Sequence, residues 1–70
     1  MTDDIFQDPS AKGRQLGLVI GVLLDTYKPE GVGIWLSSPN RRLDGARPLD
    51  LITAGAGRRV MDEALKLEAR

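Results

Sequence analysis

The sequence predicts an all-α fold, a compact bundle of about four helices, two long and two short. Three observations point there. Leu16, Ile20, Leu23, Leu24 and Tyr27 fall within about 100° of one another at helical spacing. Near the other end, Val60, Met61, Ala64, Leu65 and Leu67 span roughly 160° of a second helix. Between them Pro29, Pro39, Pro48, Gly55 and Gly57 punctuate the chain, leaving room only for short elements.

The elements follow in order. Residues 1–12 form a polar lead-in, expected to be flexible, and residues 13–70 one helical domain. Pro9 stops any helix entering from the left, and Ser10 is the expected N-cap of a helix over 11–27. A buried strand over LGLVIGVLL is the alternative; the length and the lack of alternation favour the helix. Leu18 and Val22 point away from its main face and mark a second packing surface, within the domain or against another chain. Gly13, Gly17 and Gly21 recur every four residues. They are either tolerated glycines or the floor of a close helix crossing.

Pro29 disfavours helix at Lys28 and is suited to the first position of a new one. Val32, Ile34, Trp35 and Leu36 then make about two helical turns, with Trp35 as the expected core anchor. Ser37-Ser38-Pro39-Asn40 breaks that helix, Arg41 and Arg42 are a solvated pair, and Asp44-Gly45 is a turn. Pro48 opens a short helix that buries Leu49, Leu51 and Ile52. In the last helix Arg59, Asp62, Glu63, Lys66 and Arg70 share the polar side, where Asp62 and Lys66 are set for an i,i+4 pair. Glu68 falls inside the apolar arc, as though that end met something other than this chain's core.

Composition narrows the function. Seventy residues allow one small domain, too short for a self-contained dinucleotide-binding or barrel enzyme. Ten basic and ten acidic residues cancel, so no global field draws the chain to nucleic acid or anionic lipid. Cysteine and histidine are absent, which removes thiolate and His-based catalysis and the usual zinc sets. The apolar run from Leu16 to Leu24 is too short for a bilayer, which needs about 20 residues. A cytoplasmic protein is expected.

Motifs with chemical content fare no better. LDLITAGAGRRV has Gly55 and Gly57 but Val60 where a dinucleotide loop needs its third glycine, so it is a helix-to-helix turn. Asp44, Asp50, Asp62, Glu63 and Glu68 are spread over turns and polar faces, without a pair in an apolar pocket. Arg41, Arg42, Arg47, Arg58 and Arg59 sit beside acids and lack interleaved aromatics, so they are a solvated surface. No catalytic residue, metal or cofactor is expected. A chain so equipped works by binding protein, and self-association through Leu18 and Val22 is one form of that.

One ordered pattern is more specific. Trp35-Leu36, Pro39-Asn40, Leu43-Asp44-Gly45-Ala46-Arg47-Pro48, an apolar stretch from Leu49 to Thr53, Gly57, Val60 and Leu65 follow one another. This combination resembles the toxin-binding domain of the Xre/MbcA/ParS type of bacterial antitoxin, over about three quarters of the chain. The resemblance implies a non-enzymatic partner of a RES-domain, NAD-degrading toxin. Its helices would pack on the toxin and its C-terminal helix would block the active site. Carried over, Leu67, Glu68, Ala69 and Arg70, with Asp62 and Lys66 before them, would be the partner-binding residues. Trp35, Leu36, Pro39, Asn40, Leu43, Gly45, Pro48 and Gly57 would be its structural fingerprint. The pattern usually has glycine where Asp44 stands, and a helix-turn-helix usually precedes it. With so few residues before the domain, autorepression is not expected. The alternative is a stand-alone interaction or dimerisation protein, of phage origin for instance, with an unrelated host target.

Overall fold

Asp8, not Ser10, caps the first element in the computed structural model, which describes residues 5–6 and 8–69. Its carboxylate accepts the backbone N–H (2.9 Å) and the hydroxyl (2.7 Å) of Ser10. The 3-10 turn Pro9–Ala11 then feeds α1 (Lys12–Leu24). Next come α2 (Pro29–Ser37), a 3-10 turn (Arg41–Leu43), α3 (Pro48–Thr53) and α4 (Gly57–Glu68). The described residues contain no strand, so the helical reading of LGLVIGVLL holds. Pro29 and Pro48 open their helices, with Lys28 and Arg47 extended before them, as proline demands.

The core is aliphatic. Val19 and Leu23 of α1, Val32 and Leu36 of α2, Leu43, Ile52 of α3, and Val60 and Ala64 of α4 form one buried cluster. The pairing of α1 with α4 is the most extensive contact in the fold. The face α1 presents to it is turned by roughly 80° from the predicted arc. Gln15, Val19 and Leu23 are buried, whereas Leu24 is 47% exposed. Leu16 and Ile20 only flank the core. The helix also ends at Leu24, not at Tyr27: the Leu23 carbonyl takes the N–H of both Thr26 (3.0 Å) and Tyr27 (2.8 Å), closing a turn.

Trp35 packs on the outside of the cluster and is half-buried, so it is not the anchor expected of it; Val32 and Leu36 point inward instead. Ile34 is 66% exposed. Ser37 and Ser38 turn their hydroxyls back onto the carbonyls of Gly33 (2.6 Å) and Ile34 (2.7 Å), which consumes acceptors at the helix end. In α3, Pro48 and Ile52 are buried, Leu51 is partly buried, and Leu49 points out at 39% exposure. Gly55, at φ 87°, ends it in a Schellman arrangement, with Ala56 N–H on Leu51 O (2.8 Å) and Gly55 N–H on Ile52 O (3.1 Å).

The Pro-Asn to Gly segment is a closed loop. Asn40 accepts Arg42 N–H on its side chain (2.9 Å). Its backbone carbonyl accepts the N–H groups of Leu43 (3.0 Å) and Gly45 (2.8 Å), and its own N–H reaches Ala46 O (3.0 Å). Asp44 and Gly45 are left-handed, at φ 59° and 82°. That explains a glycine preference at both positions, with Asp tolerated at the first.

The glycines divide into two kinds. A Cβ on Gly13, Gly17 or Gly21 would meet nothing within 4 Å, so the close crossing considered for this stripe does not form within the chain. A Cβ on Gly57 would stand 2.5 Å from Gln15 Oε1. The close approach is there, where α4 starts against α1. Gln15 cannot retreat cheaply, because its amide donates to Ile5 O (2.5 Å) and Asp8 O (3.2 Å).

Two predictions follow from the packing. Gly13→Ala and Gly17→Ala should each stabilise the dilute protein by up to about 1 kcal/mol through helix propensity. Gly57→Ala should instead destabilise it by about 1–2 kcal/mol, by displacing a buried, hydrogen-bonded amide. Urea unfolding reads both signs. The second concerns Asp8, whose carboxyl is held below its ordinary 3.8 by the Ser10 hydroxyl first and the Ser10 N–H second. A lowered folded value means the cap stabilises fully above the unfolded value and is lost as pH falls through the folded one. Asp8→Ala should therefore weaken the protein at neutral pH, and the difference should vanish as pH falls below the lowered Asp8 value; unfolding measured across a pH series reads this.

Candidate partner-binding surface

Sequence reasoning placed Leu18 and Val22 outside the main core, and the structure shows what they line. Val22 faces α4 and Leu18 is 38% exposed. Opposite them α4 presents Met61, Asp62 and Leu65, one helical turn apart in pairs, with Arg58 above. Phe6 closes the upper end. Together these residues line an open groove of about 320 Å³.

The groove is mainly apolar. Leu65 is 46% exposed, and the Arg58 guanidinium lies 5.7 Å from the Phe6 ring centroid, a cation–π distance. Asp62 supplies a carboxylate at the rim. An apolar floor edged by one cation and one anion offers contact and orientation to a protein segment, which is binding chemistry.

A second, polar hollow lies on the other side of α4. Arg42, Leu43, Arg59, Asp62, Glu63 and Lys66 line it. Glu63 is only 5% exposed, although the helical pattern put it on the solvated side. The loop carrying Leu43 covers it. Arg42 Nε stands 3.6 Å from one oxygen and Lys66 Nζ 4.0 Å from the other. Lys66 thus turns to Glu63, three residues back, where Asp62 was expected. Arg59 forms a 2.9 Å ion pair with Asp44, so Arg42 and Arg59 are exposed but not merely solvated.

The expected partner-binding residues are dispersed. Asp62 touches both hollows, and Lys66 only the polar one. Leu67 packs against the core, while Glu68 and Ala69 are exposed at the end of α4. Arg70 lies outside the described residues. The resemblance implied the whole last helix as the inhibitory segment without singling out Arg58, Met61 or Leu65, and Phe6 was not assigned to a binding surface. The available signal was Phe6, a lone aromatic in a polar segment facing an off-axis Leu18 and Val22.

The fingerprint residues, in contrast, are structural. Leu36, Leu43, Pro48 and Gly57 are buried, Asn40 and Gly45 close the loop, and Trp35 covers the core edge. Pro39 is exposed and follows the end of α2.

Comparison with known proteins agrees with that pattern. Residues 3–65 match the antitoxin Xre/MbcA/ParS C-terminal toxin-binding domain. A probable mycobacterial cidal antitoxin, Rv3188, from Mycobacterium tuberculosis (strain ATCC 25618 / H37Rv) is 43% identical over 51 residues. That alignment covers 73% of this chain and 44% of the relative, so the chain spans less than half the relative's length. No solved structure matches. The chain belongs to the family of Xre/MbcA/ParS antitoxin C-terminal toxin-binding domains.

Proposed function

We propose that this protein neutralises a toxin by binding it, without catalysis of its own, in the cytoplasm. The observation that carries this is the apolar wall of α4, half-buried Met61 and exposed Leu65, on the helix whose last residues Glu68 and Ala69 are exposed, in a chain of this family. An apolar wall left in water is stabilised when a partner covers it, by about 25 cal/mol per Å².

The toxin class we propose is the RES-domain, NAD-degrading enzyme. In this reading Leu65 and Asp62 seat the toxin, Lys66 assists at the rim, and the last turn enters its active-site cleft. Leu67 would act by anchoring that turn, because it packs on the core. Glu68, Ala69 and Arg70 would be the residues that project.

The anchoring shapes the experiment. Deleting residues 68–70 spares Leu67 and should leave helicity and melting temperature nearly unchanged. It should raise the concentration needed to stop NAD consumption by a RES toxin from the same host by about tenfold or more. Leu65→Asp should weaken inhibition similarly while keeping the fold, since the side chain is already half in solvent. Equal inhibition by intact and shortened protein would remove the tail from the mechanism. Failure of the intact protein against such toxins would remove the RES assignment.

A further inference from the structure

The groove between α1 and α4 has a direction. Gln15 and Gly57 meet near the start of both helices, and the two helices make the most extensive pairing in the fold, so they run side by side the same way. On α1, Arg14, Leu18, Val22 and Asp25 are four, four and three residues apart and fall within about 80° of one another. On α4, Arg58, Met61 and Leu65 fall within about 60°, with Asp62 on their flank. Each wall therefore reads a cation, then two apolar side chains one turn apart. Asp25 closes the α1 wall, and Asp62 lies past Arg58 on the α4 wall. All four charged residues are exposed.

We propose that this groove takes one amphipathic helix of the toxin, lying antiparallel to α1 and α4. Its buried face carries apolar side chains one turn apart, its first turn basic residues and its last turn acidic ones. This names the partner element within the toxin reading and rests on that reading.

The apolar rows select a helix. Leu18 with Val22, and Met61 with Leu65, are two ridges at four-residue spacing with a furrow between them, and a third helix fills such a furrow with its own row. A strand would turn every second side chain away. The charges select the direction. The dipoles of α1 and α4 add because the helices run together, so the Phe6 end combines two helix N-termini with Arg14 and Arg58. The far end combines two C-termini with Asp25, while Lys66 is turned to Glu63 on the other side of α4. An antiparallel occupant sets its C-terminus and acids against the first and its N-terminus and bases against the second. Arg14 and Asp25 are eleven residues apart, about 16.5 Å along the helix, so the occupant spans about three turns. Its charge order is the reverse of the one that stabilises a lone helix, which makes the signal specific.

The probe is a synthetic peptide of about sixteen residues with blocked ends. It carries lysines in the first turn, glutamates in the last, two leucines one turn apart in the middle, and alanine and glutamine elsewhere. Titrated into the isotope-labelled whole chain, it should bind with a dissociation constant in the micromolar range and shift the amide signals of Leu18, Val22, Met61 and Leu65. A spin label at its C-terminus should broaden signals around Arg58 and spare those around Leu65. The peptide with lysines and glutamates exchanged should bind about tenfold more weakly or worse. Leu18→Asp and Leu65→Asp should each cost about tenfold or more while helicity is kept. Arg14→Glu should weaken the first peptide and strengthen the exchanged one, which a merely structural effect would not do. No binding up to about 1 mM overturns the proposal. So do equal binding of the two peptides, broadening around Leu65, or self-association of the chain that shifts the same four signals without peptide. NAD loss with a RES toxin separates the two readings. Toxin inhibition by the intact chain without peptide binding removes only the groove proposal. Peptide binding without inhibition of such toxins removes the toxin reading, and with it the source named for the helix.

Discussion

Gln15 against Gly57 is the contact on which the arrangement rests. Gln15 is 2% exposed, and its amide nitrogen holds the carbonyls of Ile5 and Asp8. Its carbonyl oxygen is pressed toward the first residue of α4 without a hydrogen-bond partner of its own. A buried amide left half-satisfied costs about 1–3 kcal/mol, so the position is retained for what it joins. It joins three things: the start of the chain, α1 and the N-terminus of α4. A side chain at Gly57 would push α4 away, and Val60 and Ala64 would leave Val19 and Leu23. The groove is a consequence of the same contact. With Ile5 held by Gln15, Phe6 comes to lie beneath Arg58 at the groove's upper end.

The opposite side of α4 is fixed by charge. Glu63 takes Arg42, and Arg59 takes Asp44, so the loop from Asn40 to Ala46 is tied to α4 at two places. Leu43 is thereby pressed into the core. The Glu63 pairs are asymmetric, because the carboxylate is buried while Arg42 remains 58% exposed. Such a pair adds little net stability, since the solvated partner gives up part of its hydration. Its effect is to set how the loop sits. Both helix faces that might have packed on the loop are settled, and the remaining apolar wall of α4 is left to the outside.

Local punctuation was legible in the sequence; burial of polar groups was not. Pro29, Pro48, Asp44-Gly45 and Gly55 act within a few residues of themselves, through fixed φ or left-handed backbone, and each turn lies where those residues put it. The all-α class followed from the same local signals and from apolar spacing. The orientation of α1 did not, because its arc was drawn from apolar residues alone. Gln15 is polar, yet buried, since Ile5 O and Asp8 O lie within its reach. Val19 shares its turn with an apolar neighbour on nearly every side, so periodicity could not choose among them. Glu63 was misplaced for the same reason as Gln15: what makes its burial tolerable is Arg42, twenty-one residues away in sequence. The size of Trp35 predicts a core anchor, but its ring packs on the outside of the cluster, where Val32 and Leu36 already fill the interior. At the candidate binding surface Leu18 and Val22 were legible as leftovers of a helical pattern. Met61 and Leu65 were hidden by an arc of roughly 160°, wider than one neighbour can cover.

That excess of apolar arc is the link between stability and function. A chain of this length buries about 60% of its unfolded surface, and its margin is small. Covering Leu18, Val22, Met61 and Leu65 with its own elements would need another helix. A bound protein supplies the same burial, and saturating it a hundredfold over its dissociation constant adds about 2.7 kcal/mol to the folded state. A free chain is then less stable than a bound one, so its lifetime against unfolding depends on whether its partner is present. Under the proposed reading, the surface that binds the toxin and the surface that completes the fold would be the same surface.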